Sequence, residues 1–314
     1  MRYVRTILAM LIIAAAFVLP TSSPAAGKTV GVVLSGNLPR YNDAYKAFIK
    51  TLRDAGYGEG KVTVYVQRPN PDPMSWTNSV RKFVNVGVDA IVAYGAPAAV
   101  SAVRETDSIP VVFSFVYDPA ACGAKKNNST GVNARVPMVT LLKTLKAIKP
   151  FVKLAVVYSK DDPGSVVQLG DVKKNSAALG FQVVEVGVKT ASDVGGKVAR
   201  AAGKSDSIYI SCSAVAGGGA SRIIKIANKK KIPAITQAPD LAGKGVLLAL
   251  APSAADQGEM AARQLMKVLK GDAPSDIAVA SSRKVDLVLN LKAASALDLK
   301  VPFDVLNAAT KVIK

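Results

Sequence analysis

Short runs that are apolar at almost every residue alternate with segments of helical spacing, and this alternation occurs twice along the chain. The first series is Thr29–Leu34, a helical stretch Tyr41–Ala55 closed by Gly56, then Val62–Val66. A helix Ser75–Val86 follows Pro69, Pro71 and Pro73, and after it come Ala90–Ala93, a helix Ala96–Glu105 and Val111–Phe115. Strands alternating with helices of this length are βαβ units wound around a parallel sheet. Strands that are apolar throughout belong to a sheet covered on both faces. The pattern restarts after a join near 131–153, with Leu154–Tyr158, Val183–Val186, Ser207–Ile210 and Ile232–Ile235 separated by helices Ser165–Leu179, Ser192–Ala202 and Ala220–Asn228. Val246–Leu250, a helix Asp256–Leu269 and Val285–Leu289 are too few for a third domain and complete the first two. The expected fold is α/β: two Rossmann-like lobes with parallel sheets, the chain crossing between them about three times.

The compartment follows from the first residues. Arg2 and Arg5 precede Ile7–Leu19, an uncharged apolar run, and Pro20 and the small residues of 21–26 follow. That is the order of a secretory signal peptide, and the run is shorter than the ~20 residues a bilayer requires. Residues 1–25 are therefore read as a signal peptide, with Ser23 and Ala25 at the −3 and −1 positions; cleavage after Ala26 would place Pro24 at −3. No Cys lies near this site, which excludes a lipid anchor there, and no later stretch of spanning length lacks a charge. The rest, about 289 residues, suits two ordinary domains of a soluble periplasmic protein.

Charge and chemistry then exclude whole classes of function. Lys and Arg number 41 against 22 Asp and Glu, a net +19, but only Lys125–Lys126 and Lys229–Lys231 form runs. With no basic stripe interleaved with aromatics, this reads as a solvated basic surface and not a nucleic-acid face. There is no His, so Ser-His-Asp and Cys-His catalysis and His-bearing metal sites are not available. Gly217–Gly219 lacks the G-K-[ST] of a phosphate loop, and no G-x-S-x-G is present. Neither an enzyme, a metal nor a cofactor is expected. Cys122 and Cys212 could pair in an oxidising compartment, but the spacing leaves that open.

In open α/β sheets ligands bind beyond the carboxyl ends of the strands, where helix N-termini present unpaired N–H groups and partial positive charge. Candidates at such positions in the first half are Ser35 and Asn37 with Gly36 between them, Tyr41, the helix-opening Ala96, Pro97 and Ala98, and Ser114 with Phe115. In the second half they are Ser159, Ser165, Ser213, Gln237 and Ser253. Asp161-Asp162-Pro163-Gly164 reads as turn chemistry and not as a catalytic carboxylate pair. Asp118–Pro119 likewise reads as a turn, and Trp76 as core by its spacing with Val80 and Phe83.

Ser108-Ile-Pro-Val-Val-Phe-Ser-Phe-Val-Tyr-Asp-Pro119, with Gly95-Ala-Pro-Ala-Ala99 before it and Thr130-Gly-Val132 after it, resembles the ABC-transporter substrate-binding family that includes tryptophan and tyrosine receptors. The likeness continues through Ser165–Gln168, Leu179–Gly180, Lys231–Pro233, Leu269–Gly271 and Val288–Lys292. It implies the type I periplasmic-binding-protein fold, with lobe 1 at 28–132 plus 252–276, lobe 2 at 133–251 plus 277–314, and a ligand in the hinged cleft. It also implies a monomeric receptor that closes on a small molecule and docks on an ABC permease in the inner membrane. A periplasmic sensor feeding a membrane signalling protein would use the same closure. Amino-acid receptors of this kind commonly carry an Asp after the third strand of lobe 2, to pair with the ligand ammonium. Here that place reads Ser211-Cys212-Ser213, and the crossing strand is followed by Ala251-Pro252-Ser253 with no acid. An uncompensated buried ammonium is costly, so a carboxylate is expected to bind better than a free amino acid.

Overall fold

The computed structural model describes residues 27–282 and 284–314; the leader expected at 1–25 lies outside the described residues. The first sheet is built from β1 (Lys28–Leu34), β2 (Val62–Gln67), β3 (Ala90–Tyr94), β4 (Val111–Val116), β5 (Ser129–Asn133) and β11 (Ala280–Ser281). Its order is β11-β5-β4-β3-β1-β2 with every pairing parallel. Helices α1 (Pro39–Asp54) and α9 (Ala254–Leu269) cover one face, closing a core of Val30, Val32, Leu34, Phe48, Ala261 and Leu265. On the other face lie α2 (Pro73–Val86) and α3 (Ala96–Glu105), around Val33, Phe83, Ile91 and Val103.

Two of these helices begin two residues earlier than their apolar spacing suggests, because Pro39 and Pro73 sit in the first turn, where a missing N–H costs nothing. Asp72 caps α2 by accepting the Ser75 N–H at 2.9 Å. Trp76 is core, 3 % exposed, and its Nε1–H donates to the Ser35 carbonyl at 2.9 Å, fixing the turn after β1.

The chain passes to the second lobe after β5, through α4 (Met138–Ile148), an element the sequence reading did not delimit. There β6 (Lys153–Tyr158), β7 (Gln182–Gly187), β8 (Ser207–Ile210), β9 (Ala234–Thr236), β10 (Leu248–Pro252), β12 (Val285–Asn290) and β13 (Lys311–Ile313) form a sheet ordered β13-β12-β10-β9-β8-β6-β7. Among the described strands the β10–β12 pairing alone is antiparallel, β13 lying parallel to β12. Helices α5 (Pro163–Ser176), α6 (Asp193–Ala202), α7 (Ala214–Gly218) and α8 (Ala220–Lys229) connect these strands. α10 (Leu291–Ala296) and α11 (Phe303–Ala308) lie between β12 and β13.

Three crossings join the lobes, as expected: after β5, between β10 and α9, and between β11 and β12. The boundary read at 276 falls short, because Ile277 packs in the first core and Ala280–Ser281 pair with β5. Cys122 and Cys212 are both free thiols. Among the described residues no helix is long and apolar enough to cross a membrane.

Candidate functional site

The carboxyl ends of the two sheets meet at a buried seam. Gly164, in the first turn of α5, lies so near the opening of α3 that a Cβ on it would stand 3.2 Å from Ala96 Cβ. A Cβ there would require its neighbours to shift by a few tenths of an ångström. Leu38 and Arg40 approach α7 equally closely at Gly217.

Arg40 is the central feature of this seam, and the sequence reading did not single it out. It lies in the first turn of α1 and is 2 % exposed, with its guanidinium crossing into the second lobe. Nη1 donates to Asp240 Oδ1 at 2.9 Å and Nη2 to the Cys212 carbonyl at 2.5 Å. Burial works most strongly against the charge, but Asp240, Tyr41 and Cys212 together outweigh it and hold the arginine pKa above its ordinary value. Asp240 Oδ2 is buried with no hydrogen-bond partner among the described residues, and so is Ser159 Oγ. The guanidinium also covers the Tyr41 ring at 4.8 Å. Tyr41 meets Phe115 edge to face at 5.8 Å, and burial pushes its phenol pKa up to about 12.

Phe115 carries a left-handed backbone, φ +55°, unusual for a bulky residue. Gln257 holds it there from α9. Its Oε1 accepts the Phe115 N–H at 2.9 Å and the Ser114 hydroxyl at 3.2 Å, while its Nε2 donates to the Asn133 carbonyl at 3.0 Å. Ser114 is thus turned toward α9.

Several residues chosen from sequence reach the seam but are already occupied. Ser35 Oγ accepts the Ala98 N–H at 3.1 Å, so that amide of α3 is not free, as expected of a helix start, but capped. Ala96 and Pro97 are buried in the same turn. Ser165 Oγ donates to the Ser159 carbonyl at 2.6 Å, locking its own turn. Ser213 caps α7 through the Ala216 N–H at 3.0 Å. Gln237 accepts from Tyr209 at 3.3 Å and donates to the Val136 carbonyl at 3.2 Å, which ties it to the first crossing. Two others are elsewhere. Asn37 is exposed and accepts from Asn42, while Ser253 sits in the second crossing as the cap of α9.

Carboxylates are nearer than the local sequence at 211–213 implied. Asp162 is a turn residue, as read, and caps α5 by accepting the Ser165 N–H at 3.1 Å. Yet the fold buries it at the seam, with Gly164 and Ala214 amides also donating to it and Arg40 nearby. Together with Asp240 it supplies the negative charge that Ser211-Cys212-Ser213 lacks. The premise that this cleft holds no acid is therefore corrected; both acids are distant in sequence and are brought in by lobe packing.

Burial raises the Asp162 pKa to about 6, against a lowering by the three amides and Arg40. Its stabilising contribution is therefore complete below the ordinary value of 3.8 and is lost as pH rises through about 6. The gap is on the order of 3 kcal/mol. Asp162→Asn keeps the cap without the charge, so between pH 4 and pH 7.5 its stability relative to wild type is expected to rise by up to ~3 kcal/mol. Parallel denaturant melts across that range check this; a difference that does not change with pH refutes it.

A second tie runs beside the first crossing. Tyr117 OH donates to Asp171 Oδ2 at 2.9 Å, and Arg135 donates from Nη2 to Asp171 at 2.9 Å and from Nη1 to Asp118 at 2.8 Å. At the rim, Trp76, Pro97 and Arg104 of one lobe and Lys160 and Pro163 of the other border a groove of about 320 Å³.

Residues 29–313 match the family model described as ABC transporter substrate binding protein. The chain belongs to that family. It is similar to a tyrosine-binding protein of Clostridioides difficile, 26 % identical over 281 residues, which cover 87 % of this chain and 81 % of that one. A Streptococcus pneumoniae ABC domain in complex with L-Trp matches with a TM-score of 0.87 at 23 % identity, over 91 % of this chain and 100 % of that chain. The ligand-free, open structure of a Clostridium difficile substrate-binding protein with adhesive properties matches at 0.66 with 26 % identity, over 91 % and 99 % of the two chains. The fold is thus that of type I periplasmic binding proteins, and the family places the chain among solute-binding proteins and not enzymes. The bonds of Arg40 to Asp240 and to the Cys212 carbonyl hold the two lobes against one another at this seam.

Proposed function

We propose that this substrate-binding protein is the exported, periplasmic receptor of an ABC importer. It works as a monomer, captures a small organic ligand, amino-acid-like or carboxylate, between its lobes, and in the closed form docks on a permease of the inner membrane. The lobes are taken as 28–133 plus 254–281 and 134–253 plus 284–314, divided at the three crossings. The observation that carries this reading is the closed seam at the strand tips, where Arg40 and Tyr41 of one lobe, backed by Phe115, face Asp240, Cys212 and Asp162 of the other. Closure is favoured by whatever free energy a ligand gains from touching both lobes at once. The tyrosine- and L-Trp-binding relatives support an aromatic ligand, for which Tyr41 and Phe115 supply ring faces and edges.

A thermal-shift screen over amino acids, aromatic and aliphatic carboxylates and purines tests it. A specific ligand at 100 times its Kd adds about 2.7 kcal/mol, a rise of roughly 5–10 °C for a protein of this size. No shift with any class, together with an unchanged solution-scattering radius, defeats the reading.

A further inference from the structure

Arg40 is held in a way that leaves it ready to change partners. An arginine fork suits two parallel hydrogen bonds to one carboxylate. Here it receives one oxygen of Asp240, at 2.9 Å, and a neutral carbonyl, that of Cys212. Asp240 Oδ2 remains buried without a hydrogen-bond partner among the described residues, although the side chains of Arg40 and Asp240 are only 1 % and 3 % exposed. A buried ion pair made through a single contact repays its desolvation poorly. It also joins residues of opposite lobes and stands against the aromatic pair Tyr41–Phe115.

We propose that Arg40 is the ligand-selecting residue of the cleft, an anchor for a carboxylate, with Asp240 as the resting counter-ion that keeps the guanidinium in place until such a ligand takes it over. This rests on the reading of the seam as the ligand site. A molecule that lacks the carboxylate has nothing to offer the buried guanidinium and must leave it on Asp240. A carboxylate pairs with it at both Nη atoms and frees Asp240 to take a ligand donor group. Simple aromatic carboxylates and aromatic amino acids both qualify; aromatic amines do not.

The test uses isothermal titration of the protein, from residue 26 onward, with L-tryptophan, L-tyrosine and 3-indolepropionate, and with tryptamine and tyramine as counterparts without a carboxylate. At least one of the first three is expected to bind, and the amines at least 30-fold more weakly. Arg40→Gln alone leaves Asp240 buried without its partner, so the double variant Arg40→Gln/Asp240→Asn, which removes both charges, is measured too. It is expected to lose at least 30-fold in carboxylate affinity while melting cooperatively, and Asp240→Asn alone is expected to tighten carboxylate binding. Solution scattering of the ligand-free proteins is expected to show the double variant more open than wild type. Amines that bind as well as the acids, or a double variant within threefold of wild type, overturn the role of Arg40 and leave the receptor reading intact. Failure of wild type to bind any probe defeats this proposal together with the reading of the seam as a site for such ligands.

Discussion

Gly258→Ala is expected to lower the melting temperature by about 10 °C. Gly258 lies on α9, the segment that returns to the first lobe after the second crossing, and faces α1 at Ala44. A Cβ there would stand 1.9 Å from the Ala44 carbonyl oxygen and 2.7 Å from its carbon. These are backbone atoms, so no rotamer change relieves the clash; the two helices must separate. Separation loosens Ala261, Ala262 and Leu265 from their core and strains the bond of Gln264 Nε2 to the Ala278 carbonyl, 2.9 Å. Overpacking of this kind costs roughly 1–3 kcal/mol and more where backbone must move, and each kcal/mol is worth about 2–4 °C in a protein of this size. Because Arg40 and Tyr41 lie in the first turn of α1, ligand affinity should fall with stability. Gly170→Ala, on α5 with nothing within 4 Å of the added Cβ, is the control; it should stabilise by roughly 0.5–1 kcal/mol. A Gly258→Ala protein melting within a few degrees of wild type contradicts the helix contact.

Gln257→Leu should cost about 3 kcal/mol and weaken ligand binding with it. The glutamine is fully buried and joins Ser114, the strained Phe115 and the first-crossing residue Asn133. Leucine fills the same space but leaves the Phe115 N–H and the Asn133 carbonyl without those partners, each worth about 1–3 kcal/mol when buried and unpaired. Phe115 then has less to hold it at φ +55°, and the Tyr41–Phe115 pair loses its fixed edge. Ser114→Ala leaves the other two bonds in place and should cost only ~1 kcal/mol. Hydrogen exchange at the Phe115 amide distinguishes the two: protection is lost in the leucine variant and kept in the alanine one. Equal protection in both would show that Gln257 does not hold this loop.

Much of the fold was legible because its signals are local. Uninterrupted apolar runs such as Ala90–Ala93 and Leu154–Tyr158 read as buried strands, and Pro39, Pro73 and Gly87 punctuate the helices by fixed or permissive φ. Less regular pieces escaped. β11 is two residues long and β13 three, and neither carries a periodicity of its own. For the site, sequence picked small polar residues at strand tips, and Ser35, Ser159, Ser165 and Ser213 do stand there. Three of these four hydroxyls are engaged in local hydrogen bonds with backbone, which composition cannot show. The strongest local hint passed over was Arg40 itself, a cation in the first turn of a helix just beyond a buried strand, where the positive end of the helix does not favour one.

The sequence by itself determined two α/β halves, their alternation, the absence of histidine chemistry and the family, since each of these follows from residue type and short-range spacing. Only the tertiary structure decided which charges share the cleft. Arg40 and Asp240 are 200 residues apart, and Asp162, an ordinary helix cap by its neighbours, becomes a buried acid when the lobes close on it. Burial, counter-ion and strand-tip geometry depend on contacts between distant segments, and no local pattern encodes them.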